Sequence, residues 1–174
     1  MKIMQRLSEK WAGIDHPFLI HQGQALRFSQ VQQHAPIDLS EVRPGDVVAV
    51  VGDFNPASIL TLLRLIEAGA TVVPLTAETA HDHDYFFESA LVDVVIRDGA
   101  AVRRPHAHSH PLIDSLRSQG HAGLVLFSTG TTGRPKAILH DLTLFLQRFE
   151  TPRPTLRTLS FLLFDHIGGI NTLL

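Results

Sequence analysis

The chain has 174 residues, 44% of them apolar and 18% charged, and a formal charge of -2. That is the size and composition of one globular domain, which excludes wholesale disorder, and no basic excess points to nucleic acid or to a charged membrane surface. There is no cysteine, which excludes disulfides, thiol catalysis and Cys-ligated zinc. Arg6, Glu9 and Lys10 interrupt any signal-peptide-like start, and no apolar run approaches the roughly 20 residues that span a bilayer. The expectation is a soluble cytoplasmic protein.

Along the chain, Phe18–His21 and Ala25–Phe28 read as two short strands around Gln22-Gly23-Gln24. Ser29 is placed to cap a short helix ending before Pro36. Arg43-Pro44-Gly45-Asp46 reads as a turn into Val47–Val51, a continuous apolar run suited to a strand covered on both faces. Pro56 suits a first helical turn, and Ile59, Leu60, Leu62, Leu63 and Ile66 give that helix an apolar stripe before Gly69 stops it. A strand Thr71–Leu75, a helix Tyr85–Leu91 and a strand Val94–Ile96 follow. This alternation predicts an α/β fold, a largely parallel sheet with flanking helices and right-handed crossovers.

Residues Arg97 to Pro111, rich in His, Arg and Pro, read as a loop, and Leu112–Leu116 as a short helix. Leu124–Phe127 is a buried strand that runs straight into Ser-Thr-Gly-Thr-Thr-Gly-Arg-Pro-Lys. Beyond that come a strand Ala137–Leu139, a helix Leu142–Phe149 and a strand Leu159–Phe164. The last residues read as the first turns of an apolar helix, so the chain is expected to be the opening portion of a longer protein, with apolar surface and sheet edges prone to self-association.

Chemistry concentrates in residues 127–136. Gly130 and Gly133 permit tight turns and close approach of backbone amides to a ligand. Ser128, Thr129, Thr131 and Thr132 bring uncharged donors, and Arg134 and Lys136 bring positive charge. Amides, hydroxyls and a lysine on one loop make an anion cradle suited to polyphosphate. The loop is not the common NTPase motif, which needs Gly-Lys-Ser/Thr at a helix start. Here Pro135 precedes Lys136, and a strand follows.

These residues resemble the phosphate-loop signature of the acyl-adenylate-forming superfamily, which includes acyl-CoA synthetases, nonribosomal peptide synthetase adenylation domains and firefly luciferase. The family pattern is Ser/Thr-Ser/Thr/Gly-Gly-Thr-Thr-Gly-x-Pro-Lys, usually followed by Gly, where this chain has Ala137. His140-Asp141 stands where members often carry Thr-His. Arg43–Ala49, Glu67–Leu75 and Phe164-Asp165-His166-Ile167-Gly168-Gly169 resemble further family segments in family order.

The resemblance implies the N-terminal part of the large domain of an ATP-dependent carboxylic acid ligase. ATP and Mg²⁺ would be used, and CoA or a carrier-protein pantetheine would accept the acyl group. Ser128, Thr129, Gly130, Thr131, Thr132, Gly133 and Lys136 would hold the ATP phosphates. Asp165, His166 and Gly168 would lie at the acyl pocket. The family's adenine and ribose segments and its C-terminal domain with the catalytic lysine are not in this sequence, so the chain alone is expected to be inactive. An acyl-CoA synthetase-like ligase is the first reading. A protein loading an amino or aryl acid onto a carrier protein is the second, and a noncatalytic remnant of the fold is a third.

Asp165 carries two readings. By resemblance to peptide-synthetase domains it would hold a substrate's α-amino group; otherwise it would cap the helix that follows, a role open to any aspartate there. His106, His108 and His110 alternate, and His81 and His83 flank Asp82 with Asp84 next. Their loop and helix-start settings argue against a physiological metal site. Trp11, Tyr85 and most phenylalanines read as core or covering residues.

Overall fold

The computed structural model describes residues 2–34, 38–105, 109–128, 133–149, 151 and 157–173. Helix α1 (Ile3–Trp11) leads to a hairpin of β1 (Leu19–His21) and β2 (Gln24–Leu26), then to α2 (Phe28–Gln32). A six-stranded sheet follows, in the order β6-β5-β3-β4-β7-β8. Its members are β3 (Val47–Val51), β4 (Thr71–Leu75), β5 (Val94–Arg97), β6 (Ala100–Arg103), β7 (Gly123–Phe127) and β8 (Ala137–Asp141).

The inner pairs β5·β3, β3·β4 and β4·β7 are parallel; the outer pairs β5·β6 and β7·β8 are antiparallel. The registers set Val51 opposite both Leu75 and Arg97. The C-terminal ends of the parallel strands therefore share one end of the sheet, and the loops that follow them emerge there together.

Apolar runs make these central strands because both faces are covered. Val48, Val50, Val72, Ile96 and Leu124 face one core with α3 (Pro56–Glu67), Ile3 of α1, Phe28 of α2 and Leu142 of α6 (Leu142–Leu146). Val47, Ala49, Val73 and Val125 face a second core with Phe86 and Phe87 of α4 (His83–Ser89) and Ile113 of α5 (Pro111–Gln119). Pro56 opens α3, and Asn55 caps it by accepting from Ser58 N at 2.9 Å. Removing that cap would cost about 1 kcal/mol.

Three sequence expectations and one omission need correction. Helix α1 was not read from the sequence, yet Ile3, Met4, Leu7 and Trp11 bring an apolar face onto the first core. Phe28 begins α2 and does not end a strand, and the Gln30 side chain closes that helix start by accepting from Arg27 N at 2.7 Å. The expected loop after Arg97 contains β6: Asp98 and Gly99 both take positive φ (51° and 81°), the combination that turns a tight hairpin.

The fourth concerns Leu159–Phe164, which forms no strand and has no strand partner. Apolar character alone does not make a strand without a neighbour to complete its hydrogen bonds. Leu159 is 86% and Phe161 81% exposed, whereas Phe164 is fully buried in the first core. Helix α7 (Ile167–Leu173) follows, with Ile170 also buried. A Cβ on Gly169 would lie 2.5 Å from the Leu163 carbonyl oxygen and 2.8 Å from the Phe54 ring, so only glycine lets this segment pack so closely.

Candidate functional site

Two groups of residues lie at the C-terminal end of the parallel strands. The first is the connection from β7 to β8, which carries the expected phosphate loop. Thr129, Gly130, Thr131 and Thr132 lie outside the described residues. The stems of the loop are ordered by a reciprocal pair: Ser128 N donates to the Lys136 carbonyl at 3.0 Å, and Lys136 N donates to Ser128 Oγ at 3.1 Å. Gly133, Arg134 and Lys136 are exposed and Ser128 is half-buried. Lys136 is thus tied to the incoming stem through its backbone, while the residue as a whole is exposed to solvent.

The second group surrounds Asp165. Thr76, the residue after β4, is buried, and its hydroxyl donates to Asp165 Oδ2 at 3.2 Å. The Thr76 carbonyl lies 3.0 Å from His83 Nε2, and His83 Nδ1 lies 3.1 Å from an Arg97 guanidinium nitrogen. Arginine can only donate, so Nδ1 accepts and Nε2–H donates to Thr76. Burial pushes the His83 pKa below the ordinary histidine value and the Arg97 charge acts the same way, against the Thr76 bond and the carboxylates of Asp84 and Asp165. A neutral imidazole therefore ties β5 to the turn after β4, and that turn holds Asp165.

Asp165 itself is half-buried. It does not take up the helix-capping role considered for it. His166 does that, with Nδ1 accepting from Gly168 N at 3.0 Å while its ring stays exposed. Gly168 is half-buried, and a Cβ there would strike the Leu162 side chain. Asp165 also does not follow a strand of its own, as the sequence suggested; it reaches the sheet end by leaning on Thr76.

No family model matches the chain. Two curated proteins are similar in sequence. Phenyloxazoline synthase MbtB of Mycobacterium sp. (strain MCS) is 27% identical over 115 residues, 59% of this chain and 10% of that protein. Bacitracin synthase 2 of Bacillus licheniformis is 21% identical over 157 residues, covering 79% of this chain and 6% of that protein.

Among solved structures, the Klebsiella oxytoca NpsA N-terminal subdomain in complex with 3-hydroxybenzoyl-AMSN superposes with a TM-score of 0.56 at 22% identity, over 79% of this chain and 39% of that one. The o-succinylbenzoate CoA synthetase MenE of Bacillus subtilis, in complex with its acyl-adenylate intermediate, gives 0.64 at 13% identity, over 99% of this chain and 52% of that one. The fold is that of the N-terminal part of an adenylate-forming enzyme. The chain spans a tenth or less of the two curated relatives and about half or less of these two structures.

Against that adenylate-forming fold, the segments quoted for the family resemblance fall on β3, β4, the β7–β8 connection and the start of α7. Of the residues expected at the site, Ser128, Gly133 and Lys136 share the loop stems, and Asp165 joins the Thr76 cluster. His106 and His108 lie outside the described residues. His110 caps α5, its Nδ1 accepting from Leu112 N at 3.2 Å, and His81 pairs with Asp82 at 3.3 Å in solvent. No group of three or more potential metal ligands gathers among the described residues. Nor is any helix among them long and apolar enough to cross a membrane.

Sequence reading missed Thr76, His83 as a buried connector, and Tyr85. Thr76 had a usable signal: it directly follows the buried strand Thr71–Leu75, and ligands collect at such strand ends. Two cavities of about 420 and 290 Å³ lie along the α4 and α5 face; neither is lined by the loop or by Asp165.

The histidines make stability depend on pH. Burial depresses the pKa of His83 and also that of His140 on β8. Their unfolded values lie near ~6.5. Between the folded and unfolded values the unfolded chain binds more protons, so stability is fully present above about pH 6.5 and is lost on acidification. The urea midpoint is expected to fall from pH 7 to pH 5, and to fall less in His83→Asn. Equal pH slopes in parent and variant would contradict this origin.

Proposed function

We propose that residues 1–174 are the N-terminal portion of an ATP-dependent ligase that activates a carboxylic acid as an acyl-adenylate and passes it to a thiol. The observation that supports this reading is the connection from β7 to β8, a phosphate cradle by composition, whose stems Ser128 and Lys136 stand at the sheet end where Asp165 also stands.

In this reading Ser128, Thr129, Gly130, Thr131, Thr132, Gly133 and Lys136 hold the β- and γ-phosphates of ATP. A carboxylate oxygen of the acid attacks the α-phosphorus, the bond to the bridging oxygen breaks, and pyrophosphate leaves. In this reading the negative charge that grows on pyrophosphate meets the loop amides, the hydroxyls and the Lys136 ammonium. A thiol sulfur then takes the acyl group, and AMP departs. Mg²⁺, expected to accompany the ATP, would ride on its phosphates and supply positive charge there. The catalytic lysine of the family belongs to the part of the enzyme outside this sequence.

CoA as the acceptor follows the match to MenE, a CoA synthetase that overlaps 99% of the chain. A carrier protein is the second reading. It is favoured by the two curated relatives, both large synthases, and by the similar NpsA-ThdA structure, an artificially fused adenylation–PCP di-domain. The acid class turns on Asp165. A half-buried carboxylate whose hydrogen bond comes from a hydroxyl keeps lone pairs open for an ammonium, and pairing would offset the cost of burying either charge.

The test is hydroxylamine trapping on the intact enzyme with a panel of acids. Hydroxamate and AMP should form only with ATP and a cognate acid. Their absence across a broad panel would favour a noncatalytic protein. Asp165→Asn is expected to reduce hydroxamate from amino acids by roughly ten-fold or more, the scale of a charge-assisted hydrogen bond, and to spare their deaminated analogues. Equal losses on both classes would leave Asp165 a structural residue.

A further inference from the structure

Helix α4 grips both stems of the β7–β8 loop, and its hold is unusually well defined on the outgoing side. Tyr85 is half-buried, and its hydroxyl donates to the Pro135 carbonyl at 2.8 Å across 50 residues of sequence. In a trans peptide the C=O and the following N–H point in opposite directions. The N–H of the same peptide unit, on Lys136, donates to Ser128 Oγ. Both polar groups of the Pro135–Lys136 peptide are thus held, one from α4 and one from the opposite stem.

Two ring contacts add to the grip. The Arg134 guanidinium lies 5.1 Å from the Tyr85 ring centroid, a cation–π arrangement that holds a loop residue against the helix. On the incoming stem, Phe127 stacks on the buried Phe86 with centroids 4.0 Å apart. Successive residues of one helix therefore hold the two ends of the loop. The orientation of the Pro135–Lys136 peptide sets where the Lys136 side chain starts, and hence where its ammonium can reach.

We propose that Tyr85 is a positioning residue for the phosphate loop: through the Pro135 carbonyl it holds Lys136 at the loop mouth, and with Arg134 on its ring it keeps the loop docked on α4. This rests on the functional reading above only in naming phosphate as what the loop holds; the latch itself is a matter of loop opening.

Opening can be read without activity, because trypsin cleaves after Lys136 and does not cleave the Arg134–Pro135 bond. The chain and its Tyr85→Phe variant are digested under folding conditions, with cleavage after Arg64, in the buried helix α3, as the reference for global unfolding. Tyr85→Phe keeps the ring and loses the hydroxyl. Cleavage after Lys136, relative to that after Arg64, is expected to rise roughly three- to ten-fold, the scale of one lost hydrogen bond. Arg134→Gln, which leaves the core untouched, should raise it by a smaller factor.

In the intact enzyme, Tyr85→Phe should raise the ATP concentration for half-maximal pyrophosphate exchange several-fold, with a smaller change at saturation. Unchanged relative cleavage in both variants would overturn the latch. A parent enzyme without any exchange would remove the proposed reaction and leave the cleavage result to decide the latch by itself.

Discussion

Phe164→Ala is expected to destabilise the folded chain by about 3–5 kcal/mol, the usual cost of emptying a buried phenylalanine site. The side chain is fully buried and meets Phe54 edge-to-face at 5.4 Å, an arrangement favourable beyond the area it buries. The neighbourhood has little freedom to collapse around the gap, since Gly169 already lies against the Leu163 carbonyl and the Phe54 ring. Phe164 also fastens the segment that delivers Asp165 to Thr76, and the residues before it, Leu159 and Phe161, are exposed and give no anchorage. Urea unfolding measures the loss. A change below about 1 kcal/mol, the scale of a surface substitution, would show that Phe164 is not packed in the core.

The largest effect on activity is expected at Lys136. Lys136→Ala removes the charge at the loop mouth and leaves the backbone pair with Ser128 able to form. If the ammonium meets the leaving pyrophosphate, its loss costs about 1.5–3 kcal/mol of transition-state stabilisation, or roughly 10- to 150-fold in kcat/KM. Thr131→Ala should cost less, since a neutral donor is about half as strong as a charged one. Lys136 is exposed and outside both cores, so the unfolding midpoint of Lys136→Ala should hold. An equal loss of stability in either variant would assign the effect to folding.

Much of this molecule is legible where residue pattern and structure are local. Val47–Val51 reads as a doubly covered strand because every position is apolar, and it is one. Pro56, the stripe from Ile59 to Ile66 and Gly69 mark α3 with start, face and stop. The connection between β7 and β8 is legible because Gly, Thr and Pro cluster between two strand runs; its phosphate-holding role is the proposal. Asp98-Gly99 was a hairpin signal hidden in a segment dominated by charge and proline, so β6 was read as loop. Leu159–Phe164 was misread because hydrophobicity says that a segment is buried or paired without saying with what, and here only Phe164 found a place inside.

The site is less legible than the fold for the same reason. Asp165 meets Thr76 across 89 residues and Tyr85 meets Pro135 across 50. No local pattern encodes such meetings. They follow from the strand order, which brings the ends of β4, β5 and β7 to one side.

The most direct measurement of the central claim is the exchange of labelled pyrophosphate into ATP by the intact enzyme, with and without carboxylic acid, in the parent and in Lys136→Ala. The account predicts exchange that requires a cognate acid and falls at least ten-fold in the variant, the lower bound of losing a charged contact. Acid-dependent exchange at the parental rate in Lys136→Ala would contradict it.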